Sequence, residues 1–319
     1  MTRAAGTCVW FGEITRVDVL LAGGKGANLG DMAQAGLPIP PGFVICAPAY
    51  RRMMESFDLD RQINELMSGL ERDSFTRLQA VEHQARQLVE NAPITGELRE
   101  LILESYRALG DEVPVAVRSS ATAEDTAGAS FAGQQETFLN VVGEEQLLKA
   151  VCRCWSSLYT PQAMFYRIQN GFDNCRISMG VVVQKLINSE KSGVIFTVDP
   201  VLRNHFQMVI EAVWGLGEGI VSGTITPDHY LVDRETYEIL SEFVPEKRIM
   251  IAKDGIRGVR TVDVPPAVAA ERVLIPDELR RLVDLGNNVE SHFGFPQDIE
   301  WGIEHGEIYL LQSRPITTL

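Results

Sequence analysis

The sequence predicts an α+β fold. Short strand patterns and amphipathic helical patterns mix along the chain without a regular β–α–β alternation, which argues against a doubly wound parallel sheet. The chain has 319 residues, 45% of them hydrophobic and 23% charged, enough for one large domain or two lobes. No internal repeat or low-complexity linker interrupts it. A lobe boundary is expected near 188–192, giving an N-terminal lobe of residues 1–188 and a C-terminal lobe of residues 189–319.

The elements follow in order. An apolar opening runs into GGKGANLG, residues 23–30. Asn28 to Ala35 reads as a helix, with Gly36 as its C-terminal cap. The prolines of LPIPPG forbid a helix and lead into a short strand, Phe43 to Cys46. Residues 50–108 are helical, since apolar residues recur at three- and four-residue spacing in LDRQINELMSGL and ELRELILESYRAL. Val113 to Arg118 is a buried strand that runs into a loop, Ser119 to Gln135, rich in Ser, Thr, Ala and Gly. Two amphipathic helices are expected next, EEQLLKAVCRCWSSLY and PQAMFYRIQNG. Strands are then expected at Ile177–Ile187, Gly193–Val198, Gln207–Trp214 and Tyr230–Val232. The chain closes on a hairpin, Asp298–Glu304 with Glu307–Ser313.

Composition removes several functions. There are 29 basic against 43 acidic residues, net charge -14, the wrong sign for a protein that binds a nucleic-acid backbone. An anionic ligand therefore needs a local cationic pocket or a metal ion. No apolar run reaches the ~20 residues that span a bilayer, and no secretory signal opens the chain. The cysteine count is odd, 5, with no CxxC pair, which predicts reduced thiols in a cytoplasmic protein.

Six segments carry possible chemistry. In GGKGANLG, glycines allow close backbone approach to phosphate oxygens, the helix start adds a positive field, and Lys25 supplies a point charge. The segment lacks the GxxxxGK[ST] spacing, and a tight turn with a surface lysine fits it equally. Arg118 ends a buried strand, where a rigid element can aim its planar donors at phosphate; pairing with Glu124 or Asp125 is the plainer alternative. The loop AGASFAGQQET, 127–137, can fold over a triphosphate with backbone N–H groups and hydroxyls, or can be a surface loop. Gln184 ends a strand that can offer main-chain groups to an adenine edge, or is simply a core strand end. EAVWGLGEG, 211–219, looks like GxGxxG with the third glycine misplaced and no βαβ unit beside it, so a glycine turn near a ligand fits it better.

The sixth is the terminal hairpin. Gln312 and Arg314, two apart on a strand, share a face. A carboxylate and an amide oxygen from Glu300 and Gln312 suit Mg²⁺, which keeps waters and phosphates as its other ligands. A plain two-residue turn at His305-Gly306 would set Glu300 opposite Leu311, on the wrong face. The metal reading is therefore expected to need a bulged turn over Glu304-His305 with Gly306 left-handed, which shifts the register by one. The histidines show no metal spacing, and no GxSxG, HExxH, HRD or DFG is present.

Taken together and in order, GGKGANLG, PIPPGF, VAVRSSATAED, SFAGQQETFLN, SGVIFTVDP, EAVWGLGEGIVSG and QSRP resemble the nucleotide-binding domain shared by phosphoenolpyruvate synthases, pyruvate phosphate dikinases and rifampicin phosphotransferases. The resemblance covers the chain from about residue 12 to its end. It implies an ATP-grasp fold with ATP held between two lobes. It implies that Lys25 and Arg118 bind phosphates beneath a loop containing Gly133, Gln134 and Thr137, and that Gln184, Lys185 and Leu186 hold adenine. By the same resemblance Glu218 belongs to the nucleotide contacts, Glu300 and Gln312 bind Mg²⁺, and Arg314 binds the transferring phosphoryl group. In the family ATP is split to AMP and Pi, with the β-phosphoryl group carried on a histidine. That histidine sits in a swivelling domain, in a segment like TCHAA, which this sequence lacks, as it lacks an acceptor domain.

Three functions follow from that departure. The first is a free-standing ATP-binding subunit whose partner chain carries the phosphohistidine and the acceptor site, as in phenylphosphate synthase with its aromatic alcohol acceptor. A chain that opens on Met1 and closes just past QSRP favours it. The second is an excised domain of a phosphoenolpyruvate synthase or antibiotic phosphotransferase. The third, a non-catalytic ATP-binding module, predicts a lost metal site, whereas Glu300, Gln312 and Arg314 are all present.

Overall fold

A computed structural model describes residues 6–68, 75–122, 136–161, 164, 178–255 and 257–317. The fold is α+β. The chain divides into two compact units: residues 1–31 with 41–186, and residues 32–40 with 187–319.

The first unit is built on an antiparallel five-stranded sheet. Its strands are β1 (Cys8–Trp10), β2 (Gly42–Ile45), β3 (Val115–Ala121), β4 (Thr137–Val141) and β5 (Met179–Lys185), in the order β1-β2-β5-β3-β4. The helices are α1 (Val19–Gln34), α2 (Ala47–Ser56), α3 (Leu59–Met67), α4 (Phe75–Asn91), α5 (Gly96–Leu109) and α6 (Glu144–Ser156). One face of the sheet, through Phe43, Ile45, Val115, Val117, Val181 and Val183, joins the buried stripes of α2 to α6 in a single core. Those stripes follow the 3.6-residue period; α6, for instance, buries Leu147, Leu148, Val151, Cys154 and Trp155.

Two expectations need correction here. The first helix does not begin at Asn28. It begins at Val19 and breaks at Gly23, whose φ of 72° and ψ of 169° are non-helical. The apolar run before the glycines is long enough to form a turn of its own, and Gly23 alone supplies the break. The strand at 113–118 does not give way to a loop at Ser119. It continues to Ala121, because Ser119, Ser120 and Ala121 pair with Val181, Gly180 and Met179. Of the segment PQAMFYRIQNG only Pro161 and Met164 are described, so the second amphipathic helix lies outside the described residues. So does most of the small-residue loop. Gly36 does end α1: its amide donates to Ala33 and that of Leu37 to Met32, the paired bonds of a Schellman cap.

The second unit is an antiparallel six-stranded sheet in the order β13-β12-β6-β7-β8-β9. Here β6 is Lys191–Phe196, β7 Gln207–Trp214, β8 Asp228–Asp233, β9 Ile239–Phe243, β12 Gln297–Glu304 and β13 Glu307–Pro315. A separate hairpin joins β10 (Ile249–Lys253) to β11 (Val259–Asp263). A short helix, α7 (Glu218–Val221), follows β7, and a long one, α8 (Pro276–Phe293), precedes β12. Pro276 opens α8 and the Glu278 carboxylate accepts from the Ile275 amide at 3.0 Å. Leu279, Leu282, Val283, Gly286 and Val289 form its buried stripe. Gly286 is the contact point with the sheet. A Cβ there would lie 3.1 Å from the Met208 sulfur and 3.4 Å from Ile195.

Candidate functional site

In the first unit the break at Gly23 brings the glycine-rich segment onto the end of β3. A Cβ on Gly23 would lie 2.1 Å from the Ser120 carbonyl oxygen. The fully buried Ser120 hydroxyl donates to the Ala22 carbonyl at 2.8 Å and accepts from the Gly26 amide at 3.1 Å. Restarting the helix at Gly24 exposes new first-turn amides, and Ser120 satisfies one of them from a strand 94 residues away. Lys25 Nζ is thereby laid against the Ser119 carbonyl at 3.3 Å.

Arg118 is 8% exposed and stands opposite Thr137 on β4 and Val182 on β5. Lys25 therefore reaches Ser119, the β3 neighbour of Arg118, with Thr137 opposite Arg118. Gln184, opposite Ala116, is two residues along from Val182, so it shares Arg118's face of the sheet. Its Nε2 is buried with no hydrogen-bond partner, a state that calls for an explanation, such as a ligand. The Lys185 and Leu186 amides are already committed to the Pro41 and Pro114 carbonyls, each at 2.9 Å. Donation to adenine from those two amides is thus closed off, leaving carbonyls and side chains. Gly133 and Gln134 lie outside the described residues.

In the second unit Glu300 stands opposite Gln312, and Asp298 opposite Arg314. The register is the one a shared carboxylate–amide site requires, but its origin differs from the expected bulged turn. Glu304 pairs directly with Glu307 across a two-residue turn, His305-Gly306. Both turn residues have positive φ, 53° and 78°, as a type I′ hairpin turn demands. The shift comes further up, between Trp301 paired with Leu310 and Glu300 paired with Gln312. Leu311 is the extra residue of an internal β-bulge.

Glu300, Gln312, Asp298 and Arg314 line the sheet face away from Ile299 and Trp301, both fully buried. The row continues across the sheet through Val194, Glu211 and His229, with Glu211 Oε1 3.5 Å from His229 Nδ1. Arg314 donates from Nε to Asp298 Oδ2 at 2.8 Å. Burial pushes the Asp298 carboxyl above its ordinary range, Arg314 pulls it back, and Glu300 adds to the rise. Glu218 stands apart from this row, exposed at the start of α7, where Gly215 and Leu216 are tied to the Glu190 and Ile251 carbonyls. The strand after α7 is antiparallel to β7, so no dinucleotide-type β–α–β unit surrounds the glycines.

Asp298 and Glu211 were missed as site candidates. A period-2 reading from Glu300 would have found Asp298; Glu211 needs the strand register, which no local pattern encodes. Among the described residues the thiols lie apart from these features. Desolvation pushes Cys8, Cys46 and Cys152 up to about 12, far from a reactive thiolate.

One unit thus sets Lys25 and Arg118 near a glycine break, and the other carries a carboxylate–amide–arginine face. The comparisons make this specific. The family described as pyruvate phosphate dikinase, AMP/ATP-binding domain, matches residues 19–319, and the chain belongs to it. Its fold class is that of this ATP-grasp-like domain. A probable phosphoenolpyruvate synthase of Methanocaldococcus jannaschii is 48% identical over 315 residues, covering 97% of this chain and 26% of the relative. One of Archaeoglobus fulgidus is 47% identical, covering 98% and 42%. The rifampicin phosphotransferase of Bacillus cereus is 37% identical over 310 residues, covering 97% and 36%. The chain thus spans from about a quarter to under half the length of these relatives. Among the described residues no helix is long and apolar enough to cross a membrane.

Proposed function

We propose that this chain is the ATP-binding component of a dikinase-type phosphotransferase, acting with a partner chain that carries the phosphohistidine and the acceptor site. The observation that carries the reading is the placing of Lys25 on Ser119, next in β3 to Arg118 with Thr137 opposite it, in a chain of this family. In this reading Lys25 and Arg118 grip the phosphates, Thr137 contacts them, and Gln184 uses its free amide on the base. Lys185 and Leu186 flank the base, Glu218 reaches the nucleotide, and Gly133 and Gln134 belong to the covering loop.

Glu300 and Gln312 fit Mg²⁺, because their carboxylate and amide oxygens are hard donors set opposite each other. Among the described residues no group of three or more His, Cys, Asp or Glu is placed to hold a metal ion, so phosphate and water oxygens would complete such a shell. Held there by Glu300 and Gln312, the ion would offset phosphate charge. Arg314, aimed by Asp298, meets the negative charge of the transferring group. Phosphoryl transfer needs positioning and charge neutralisation more than covalent protein chemistry, and these residues supply both. In the overall step two phosphoanhydride bonds of ATP break and one N–P bond forms on the partner's histidine. One water is consumed, and AMP and Pi leave. A phenolic or other aromatic alcohol is the proposed final acceptor, and the cytoplasm the proposed compartment.

The relatives' greater length favours a second arrangement, in which the histidine and acceptor domains belong to the same polypeptide. The test is to isolate the chain with its histidine-bearing partner, supply Mg-ATP labelled at the β-phosphate, and identify the products. AMP, Pi and an acid-labile label on a histidine outside this chain support the proposal. ADP as the product overturns it. Arg118→Ala and Glu300→Ala should each abolish labelling while leaving the circular dichroism spectrum unchanged.

A further inference from the structure

We propose that Glu211 is a positioning residue for the Mg²⁺ site of Glu300 and Gln312, its carboxylate braced by His229 and accepting a hydrogen bond from a metal-bound water. The inference rests on the Mg-nucleotide reading above.

The strand pairings set these residues in one line. Gln312 stands opposite Glu300, Glu300 opposite Val194, Val194 opposite Glu211, and Glu211 opposite His229. Directly opposed residues of antiparallel strands share a face. This face is turned away from α8, which approaches the sheet at Ile195 and Met208 through Gly286. Glu300 and Glu211 are therefore two strands apart on a common face, about 9–10 Å between their Cα atoms. Val194 lies between them, buried and with no polar side-chain atom.

Mg²⁺ sits about 2.1 Å from its ligand oxygens and gives up its waters reluctantly. Each retained water is a polarised donor that needs an acceptor, and such outer partners orient a metal site. A water on an ion held by Glu300 can hydrogen-bond a second carboxylate up to about 7 Å from the first. The neighbouring polar groups on this face are committed elsewhere. The Ser192 hydroxyl donates to the Gly215 carbonyl at 2.6 Å, and Asp298 accepts from Arg314 at 2.8 Å. The Glu211 carboxylate, partly buried, meets only His229 among the described residues, with Nδ1 3.5 Å from Oε1. His229 thus engages one oxygen and leaves Oε2 to accept. A plain cross-strand pair of Glu211 and His229 predicts a small loss of stability that is indifferent to metal. The positioning role predicts an effect confined to the metal-bound nucleotide.

The experiment uses the full chain and two probes, Mn-ATP and ATP in EDTA, with Mn²⁺ standing in for Mg²⁺. Calorimetry gives the affinities, and electron paramagnetic resonance reads the surroundings of the bound ion. Glu211→Leu, which removes the acceptor, should weaken Mn-ATP binding about tenfold, the lower end of the cost of losing such an outer partner, and should alter the spectrum of the bound ion. Metal-free ATP should bind within about twofold of wild type. His229→Ala should weaken Mn-ATP about twofold to fivefold, the scale of one cross-strand pair. Unchanged Mn-ATP affinity in Glu211→Leu, or equal weakening with and without metal, overturns the proposal. Should Glu211→Leu fail to fold, His229→Ala decides on the same terms. Wild-type chain that binds Mn-ATP no more tightly than metal-free ATP overturns the Mg²⁺ reading and this inference with it. A metal preference lost in Glu300→Ala but intact in Glu211→Leu overturns this inference alone.

Discussion

Removing the Ser120 hydroxyl should uncouple the glycine break from the strand that carries Arg118. In Ser120→Ala the Ala22 carbonyl loses a donor at 2.8 Å and the Gly26 amide an acceptor at 3.1 Å. Both lie at a position with no solvent exposure, so water cannot replace the hydroxyl without opening the site. A buried group left unsatisfied costs about 1–3 kcal/mol. A lost helix cap alone costs about 0.5–2 kcal/mol. With partial relaxation the expected loss is about 2–3 kcal/mol, or a factor of roughly 30 to 150 in the local opening equilibrium. Native-state hydrogen exchange reads this directly at the Gly26 amide, and urea unfolding followed by tryptophan fluorescence gives the global value. If Gly26 keeps its protection and the global change is under about 0.5 kcal/mol, Ser120 does not pin the segment. The account of how Lys25 comes to lie on Ser119 then fails with it.

Two further outcomes are expected. Lys247 and Asp228 form an ion pair with both side chains fully buried, and Asp228 also accepts from Tyr230 at 2.8 Å and from the Val273 amide at 2.7 Å. Lys247→Met strands that carboxylate and should cost about 3–5 kcal/mol in urea unfolding, with part regained on adding Asp228→Asn; a loss under 1 kcal/mol would refute the pairing as a buried charge lock. The Asp298 carboxyl should titrate above the ordinary aspartate range by carboxyl NMR, because burial outweighs Arg314. Since its folded-state value is raised, the stability it contributes is fully present at low pH. That contribution is lost as pH climbs from the unfolded value through the folded one. Arg314→Ala should raise the Asp298 value further, and an unmoved titration would remove Arg314 as its partner.

Much of the chain before β3 was legible because its signals are local. The helical periodicity through 50–108, the prolines before β2 and the glycine at 36 each dictate their own backbone. The break at Gly23 was not, because nothing within GGKG says which glycine leaves the helix. That is decided by Ser120, whose carbonyl leaves no room for a Cβ at residue 23. The same non-local pairing carried Ser119 to Ala121 into the sheet, where their small polar side chains alone read as loop.

The terminal hairpin shows how a correct constraint can be met by a different device. The proposed Mg²⁺ site needs Glu300 and Gln312 on one face, and alternation from a plain two-residue turn alone puts them on opposite faces. A one-residue offset was therefore necessary somewhere between them. The turn was a natural place for it, yet His305-Gly306 has the positive backbone angles of a tight two-residue turn. The offset moves instead to Leu311, between the buried Trp301–Leu310 pair and the Glu300–Gln312 pair. This placement has a physical consequence that a bulged turn would lack. The fully buried Trp301 and Leu310 stay in register with the tight turn and keep their places in the core. Only Gln312 and the residues after it are stepped across to meet Glu300 and Asp298. The bulge thus decouples the packing half of the hairpin from the half that carries the oxygen donors and Arg314.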